Sequence, residues 1–192
     1  VVVVCILALN SYFWWQNLRT FQSPLGPPVD VTSHANGSIT PASVASNLIR
    51  NSTLHLGTPW DAVNARLKNW VVQIHTRMGQ DADDPATSNG KFRVRRYLTE
   101  DRAGNTWHFL GIPGLAGLAW LGCWWASRRE HRLGRASEQS GHRARLCCVS
   151  GWYALGLALV FLLFSIVYKW QDTGSRLHLP WFVLMAPLAG AL

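Results

Sequence analysis

A chain of 192 residues has the length of one soluble domain, but here 48% of the residues are hydrophobic and they gather in long uncharged blocks, which excludes an ordinary single-core globule and points to a membrane protein. The formal charge of +8 invites a nucleic-acid partner, yet basic and aromatic residues do not interleave along one face, so no nucleic acid is expected and membrane topology accounts for the excess. The four cysteines lie in or beside apolar segments without metal-ligand spacing and read as small buried hydrophobes.

In chain order, residues 1–15 read as the end of a transmembrane helix, since they lack the basic start and small-residue cleavage site of a signal peptide. Because it opens on a Val run without a Met, the chain is expected to be an internal or C-terminal-half piece of a larger protein. Residues 16–106 form a long polar segment, expected to be a mixed but mostly helical domain outside the cytoplasm. Within it, Gln22 to Pro28 reads as irregular extended chain, and Ser43 to Leu56 as a short helix after Thr40-Pro41. Pro59 to Met78 is a firmer amphipathic helix: Thr58 is the expected N-cap, and Val63, Leu67, Trp70, Val71, Ile74 and Met78 keep helical spacing before the stop at Gly79. That helix is expected to pack on its own domain rather than lie on lipid, because Asp61 and Asn64 interrupt its basic face.

Asp81, Asp83 and Asp84 bring carboxylates close together in a turn, and a divalent cation is one reading; an ordinary acidic turn before Pro85 is the stronger one, because the calcium-loop pattern is incomplete. Lys91 to Leu98 alternates weakly, as a short strand would. Asn36 and Asn51 head acceptor sequons for glycosylation. His55, His75 and His108 share the same side of the membrane without any telling spacing. No nucleotide-binding glycine loop, nucleophile elbow or zinc motif is present.

Residues 107–127 then read as a transmembrane helix, 128–145 as a cytoplasmic loop with six Arg against Glu130 and Glu138, and 146–168 as a further transmembrane helix. Residues 169–180 form an extracytoplasmic hairpin, and 181–192 start another helix. The fold class expected is therefore mainly α, a polytopic helical membrane protein with its long loop on the face opposite the basic loop. At the hairpin, Arg176 and His178 stand where a helix begins, so their side chains and its free N–H groups could hold an anion at headgroup depth; from spacing alone, a plain interfacial turn anchored by basic residues is the stronger reading.

A set of segments carries a resemblance. Asn47-Leu48-Ile49-Arg50-Asn51, Leu54 to Pro59, Val63-Asn64, Asp83 to Thr87, Glu100 to Asn105, Lys169-Trp170-Gln171 and Ser175 to Pro180 together resemble bacterial membrane proteins of glycosyltransferase family 39. These are relatives of dolichyl-phosphate-mannose protein mannosyltransferases and aminoarabinose transferases, of the GT-C type. Where such sequences carry Asn before the Asp-Pro and Thr-Thr after it, Asp83 and Ala86 stand here. The resemblance implies an integral-membrane enzyme, in the bacterial inner membrane, that moves a sugar from a polyprenyl-phosphate donor to an acceptor on the periplasmic face. It implies donor-phosphate contacts at Arg176, His178 and Lys169, membrane lipids as surroundings and no certain cofactor. The principal catalytic carboxylate would lie outside this chain. A non-catalytic membrane scaffold whose ectodomain binds a partner is the alternative, and a transporter piece a third; the latter is disfavoured because Leu146 to Tyr168 carries no ionisable group at mid-membrane depth.

Overall fold

The structure is a computed structural model that describes residues 2–99, 102–132 and 138–190. Among these, the chain is helical or irregular, in the order α1 (Val2–Phe21), α2 (Pro28–His34), α3 (Pro41–Thr53), α4 (Asp61–Arg77), α5 (Thr106–Arg132), α6 (Glu138–Val167), α7 (Gly174–Leu177) and α8 (Leu179–Gly190). The cysteine side chains fall outside what is described.

Local chemistry sets the boundaries. Thr40 caps α3 through a reciprocal box with Ser43, with Pro41 at the first helical position where its missing N–H is no loss. Thr58 does not cap α4 as expected. Instead Asn64 closes the preceding loop, accepting from the Thr58 N–H at 2.8 Å and donating to the Thr58 carbonyl at 2.8 Å, so the helix starts at Asp61, two residues beyond Pro59. Gln22 to Gly26 makes a turn held by Asn17, whose amide donates to the Pro24 carbonyl, and the short helix α2 begins at Pro28, directly after it.

Lys91 to Leu98 is extended, with Phe92 and Val94 buried and Arg93 and Arg95 exposed, but it pairs with no neighbouring segment; no strand occurs among the described residues. The sheet-like contacts are two isolated backbone bridges, Ala35 with Tyr168 and Ser88 with Trp170. The alternation was legible, but its buried face is satisfied by α4 and Trp170 rather than by a partner strand. Val71, Ala82, Phe92, Val94 and Trp170 make this small apolar core.

The polytopic architecture is overturned. Among the described residues, one helix is long and apolar enough to cross a membrane, Val149–Val167 within α6. The reason is composition. α5 has the length, at 27 residues, but Gly and Trp stand where a span would carry Leu and Val, and Pro113 lies within it. α8 has 12 residues, about 18 Å of helix against a hydrocarbon core of about 30 Å. α1 carries Asn10, Gln16, Asn17 and Arg19. The basic stretch 128–145 is largely helical, since α5 continues to Arg132 and α6 begins at Glu138. Leu157, Phe182 and Met185 form a second core where α6 and α8 meet, with Phe109 of α5 packed against it.

Candidate functional site

The site is built on the end of α6. A helix leaves its last carbonyls without intrahelical partners, and buried ones must be satisfied elsewhere. Here each finds a donor. The Tyr168 N–H reaches the Phe164 carbonyl at 3.0 Å, and the Asn36 N–H reaches the Val167 carbonyl at 2.9 Å. The Asn36 amide donates to the Ser165 and Ile166 carbonyls at 3.0 and 2.6 Å, and the Asn47 amide to the Ser165 and Tyr168 carbonyls, both at 3.1 Å. Asn51 adds a bond to the Ser165 hydroxyl at 3.1 Å. Three asparagines thus bolt the polar block onto the apolar helix. Their amides are engaged, so Asn36 and Asn51 are structural groups in the folded chain and not open glycosylation acceptors.

Arg50 is the second hub, fully buried one turn along α3 from Asn47. Its guanidinium donates to the Ala82 carbonyl at 2.8 Å, to Asn47 Oδ1 at 2.8 Å and to Thr87 Oγ1 at 2.6 Å. All these acceptors are neutral. Burial lowers its pKa to about 10, against the opposing pull of Asp84, Asp83 and Asp81, so it stays charged at neutral pH. The acidic turn therefore serves this cation at a distance, while its carboxylates accept backbone N–H bonds: Asp81 from Asp83, Asp84 from Ala86, and Asp83 from Phe92 at 2.6 Å. Among the described residues, no group of three or more His, Cys, Asp or Glu side chains is placed to hold a metal ion. Both Nε of Arg50 and Nε2 of His75 are buried without a hydrogen-bond partner among the described residues.

His55 and His178 form the third element. They are fully buried, with His55 Nε2 and His178 Nδ1 at 2.8 Å. The tautomers follow from connectivity. The Asn105 N–H points at His55 Nδ1 at 3.2 Å, so that nitrogen accepts, the proton sits on Nε2, and His178 Nδ1 accepts in turn. The His178 proton is then on Nε2, which has no hydrogen-bond partner among the described residues. Phe161, Phe164 and Phe182 surround the pair. Burial lowers the His55 pKa to about 4 and that of His178 to about 3, the second helped by the proximity of His55.

The three residues expected at the donor phosphate are therefore placed differently from one another. Arg176 is exposed in α7, Lys169 is half-buried with its N–H on the His34 carbonyl, and His178 is turned inward as a neutral ring. His178 meets His55, whereas His75 lies beside Phe92 and His108 beside Phe182. No single sequence signals the His55–His178 pairing across 123 residues. No protein family, curated protein or solved structure matches the chain.

Proposed function

We propose that the chain belongs to a membrane-bound glycosyltransferase that moves a sugar from a polyprenyl-phosphate carrier to an acceptor hydroxyl at the extracytoplasmic surface of the bacterial inner membrane. One observation carries the reading. Eight of the residues that gave the resemblance, scattered from Asn47 to His178, meet in one buried lattice at the end of the membrane-length helix, where Asn47, Arg50, Asn51, His55, Thr87, Trp170, Ser175 and His178 are all less than 5% exposed. A shared motif set that describes one coherent structure supports kinship more strongly than the same residues dispersed would. The proposed orientation follows the basic stretch 128–145: such stretches favour the cytoplasmic side, which would leave the C-terminal end of α6 outside.

In the proposed reaction the acceptor oxygen attacks the anomeric carbon, the bond from that carbon to the phosphate oxygen breaks, and the polyprenyl phosphate leaves with the bonding electrons. The acceptor proton passes to a general base, a carboxylate outside this chain. Arg176 stabilises the departing phosphate, because a guanidinium offers paired donors in one plane. His178 is removed from that role by its burial and neutrality; it positions the hairpin that presents Arg176.

The scaffold reading stands second, and that same burial favours it, since only Arg176 among the three expected contacts is exposed. Transfer from radiolabelled polyprenyl-phosphate sugars, measured in membranes at matched expression, separates the two. Wild-type transfer that falls at least tenfold in Arg176→Ala and recovers in part in Arg176→Lys supports the enzyme. An absence of transfer across a broad donor panel supports the scaffold.

A further inference from the structure

Beside the hairpin lies a basic surface that the proposed reaction does not use. Arg95 lies over the Tyr97 ring at 4.4 Å from its centroid, and Arg102 over the same ring at 5.5 Å. Arg102 also pairs with Asp172 of the hairpin at 3.3 Å, and the Tyr97 hydroxyl donates to the same carboxylate oxygen at 3.4 Å. One tyrosine thus holds two guanidiniums in place and ties them to the hairpin. The segment from Lys91 to Arg102 carries five cations in its sequence, Lys91, Arg93, Arg95, Arg96 and Arg102, against Glu100 and Asp101; with Asp172 and with Asp83, which accepts the Phe92 N–H, also counted, an excess of one positive charge remains. Alternation along the segment explains the exposure. Phe92 and Val94 go into the core, which obliges Arg93 and Arg95 to face out.

Position identifies what such a surface meets. The chain leaves α6 at Val167 and packs back on it with Trp181, whose indole donates to the Leu157 carbonyl at 2.7 Å. Asp172 is five residues from the end of α6, within about 18 Å of chain. Arg102 is four residues before α5, which packs on the same core as α6 and α8. The cations are therefore tethered from two sides to the level where a bilayer crossed by α6 presents its headgroups. We infer that Arg95 and Arg102, oriented by Tyr97 and Asp172, bind the phosphodiester headgroup of an anionic membrane lipid and fix the depth and tilt of the polar block. The inference requires only that α6 lies in a bilayer and is independent of glycosyl transfer.

The test uses the full chain with its four cysteines replaced by serine, a fluorophore at the exposed Leu98→Cys position, and reconstitution in phosphatidylcholine vesicles. Quenching is compared for phosphatidylglycerol and phosphatidylcholine carrying the same spin label near the headgroup. Each basic residue at an anionic surface contributes about fivefold. Preferential quenching by phosphatidylglycerol of about fivefold or more is expected, falling to within twofold in Arg95→Gln/Arg102→Gln and kept in Arg95→Lys/Arg102→Lys. Unchanged thermal unfolding of the Gln variant assigns that loss to the surface and not to the fold. Equal quenching by the two lipids in the wild type, or a preference that survives the Gln substitutions, overturns the inference. So does a preference abolished by inorganic phosphate at constant ionic strength, which would assign the site to the free anion.

Discussion

The block built from α3, α4 and the loops to Tyr97 and the bundle of α5, α6 and α8 bury opposite things. The block hides polar groups: Asn47, Arg50, His55 and His75 are each 0% exposed, while Trp60 and Trp70 stay outside. The bundle hides a thin apolar seam and leaves apolar side chains outward, with Trp107, Leu118 and Trp152 all more than 60% exposed. A buried polar group is tolerable when its hydrogen bonds are made internally, and an exposed apolar one when its surroundings are apolar. The block thus carries its own substitute for water, whereas the bundle leaves apolar side chains outward around one helix of membrane length. The asparagines on the last carbonyls of α6 are the joint between the two.

The comparison breaks most readily at that joint. Asn47→Ala would strip donors from the Ser165 and Tyr168 carbonyls and an acceptor from Arg50. A loss of roughly 3–5 kcal/mol in the stability of the block is expected, read by hydrogen exchange over residues 79–90. The outward Leu159→Ala should change the same quantity by less than about 0.5 kcal/mol. Comparable effects of the two substitutions would contradict the division.

The histidine pair gives the block a pH dependence. With His55 titrating at about 4 when folded and at 6.5 when unfolded, the unfolded chain binds the extra proton between those values. Stability contributed by the neutral pair is therefore complete above pH 6.5 and is lost as pH falls towards 4, by on the order of 3 kcal/mol from His55 alone. Denaturant unfolding at pH 7 and pH 4.5 should show this loss, and His55→Phe/His178→Phe should flatten it. A steric test comes next. A Cβ on Gly57 would meet the Arg95 carbonyl, a backbone group that cannot move aside, so Gly57→Ala should cost about 2 kcal/mol by thermal unfolding. A smaller loss, about 1 kcal/mol, is expected for Thr40→Ala, from loss of the α3 cap, visible as earlier fraying by hydrogen exchange.

Elements with local causes were legible. Thr40-Pro41 announced α3, the apolar spacing of Val63 to Ile74 announced α4, and the uncharged run before Tyr168 announced α6. What misled was equally specific. Trp and Gly in α5 suggested a membrane span, although Gly adds no apolar surface and Trp prefers the interface. The alternation at Lys91 to Leu98 suggested a strand whose partner turned out to be a helix and an indole. Arg176 and His178, two residues apart, suggested one anion site. The backbone of α7 sends one outward and the other into an aromatic box, and the box is assembled from α6 and α8 together with the loop after α3. Such long-range pairing leaves no mark on spacing.

The division between two solvents is tested most directly by depth. Spin labels placed singly at Ala158, within the membrane-length part of α6, and at Thr173, in the hairpin, would be compared in a variant with the four cysteines replaced, reconstituted in bilayers. Relaxation by dissolved oxygen against a water-soluble nickel chelate should place Ala158 in the hydrocarbon and Thr173 at the headgroups. Free access of the chelate to both positions would show that α6 is not in the membrane, and the proposed site at its end would lose its setting.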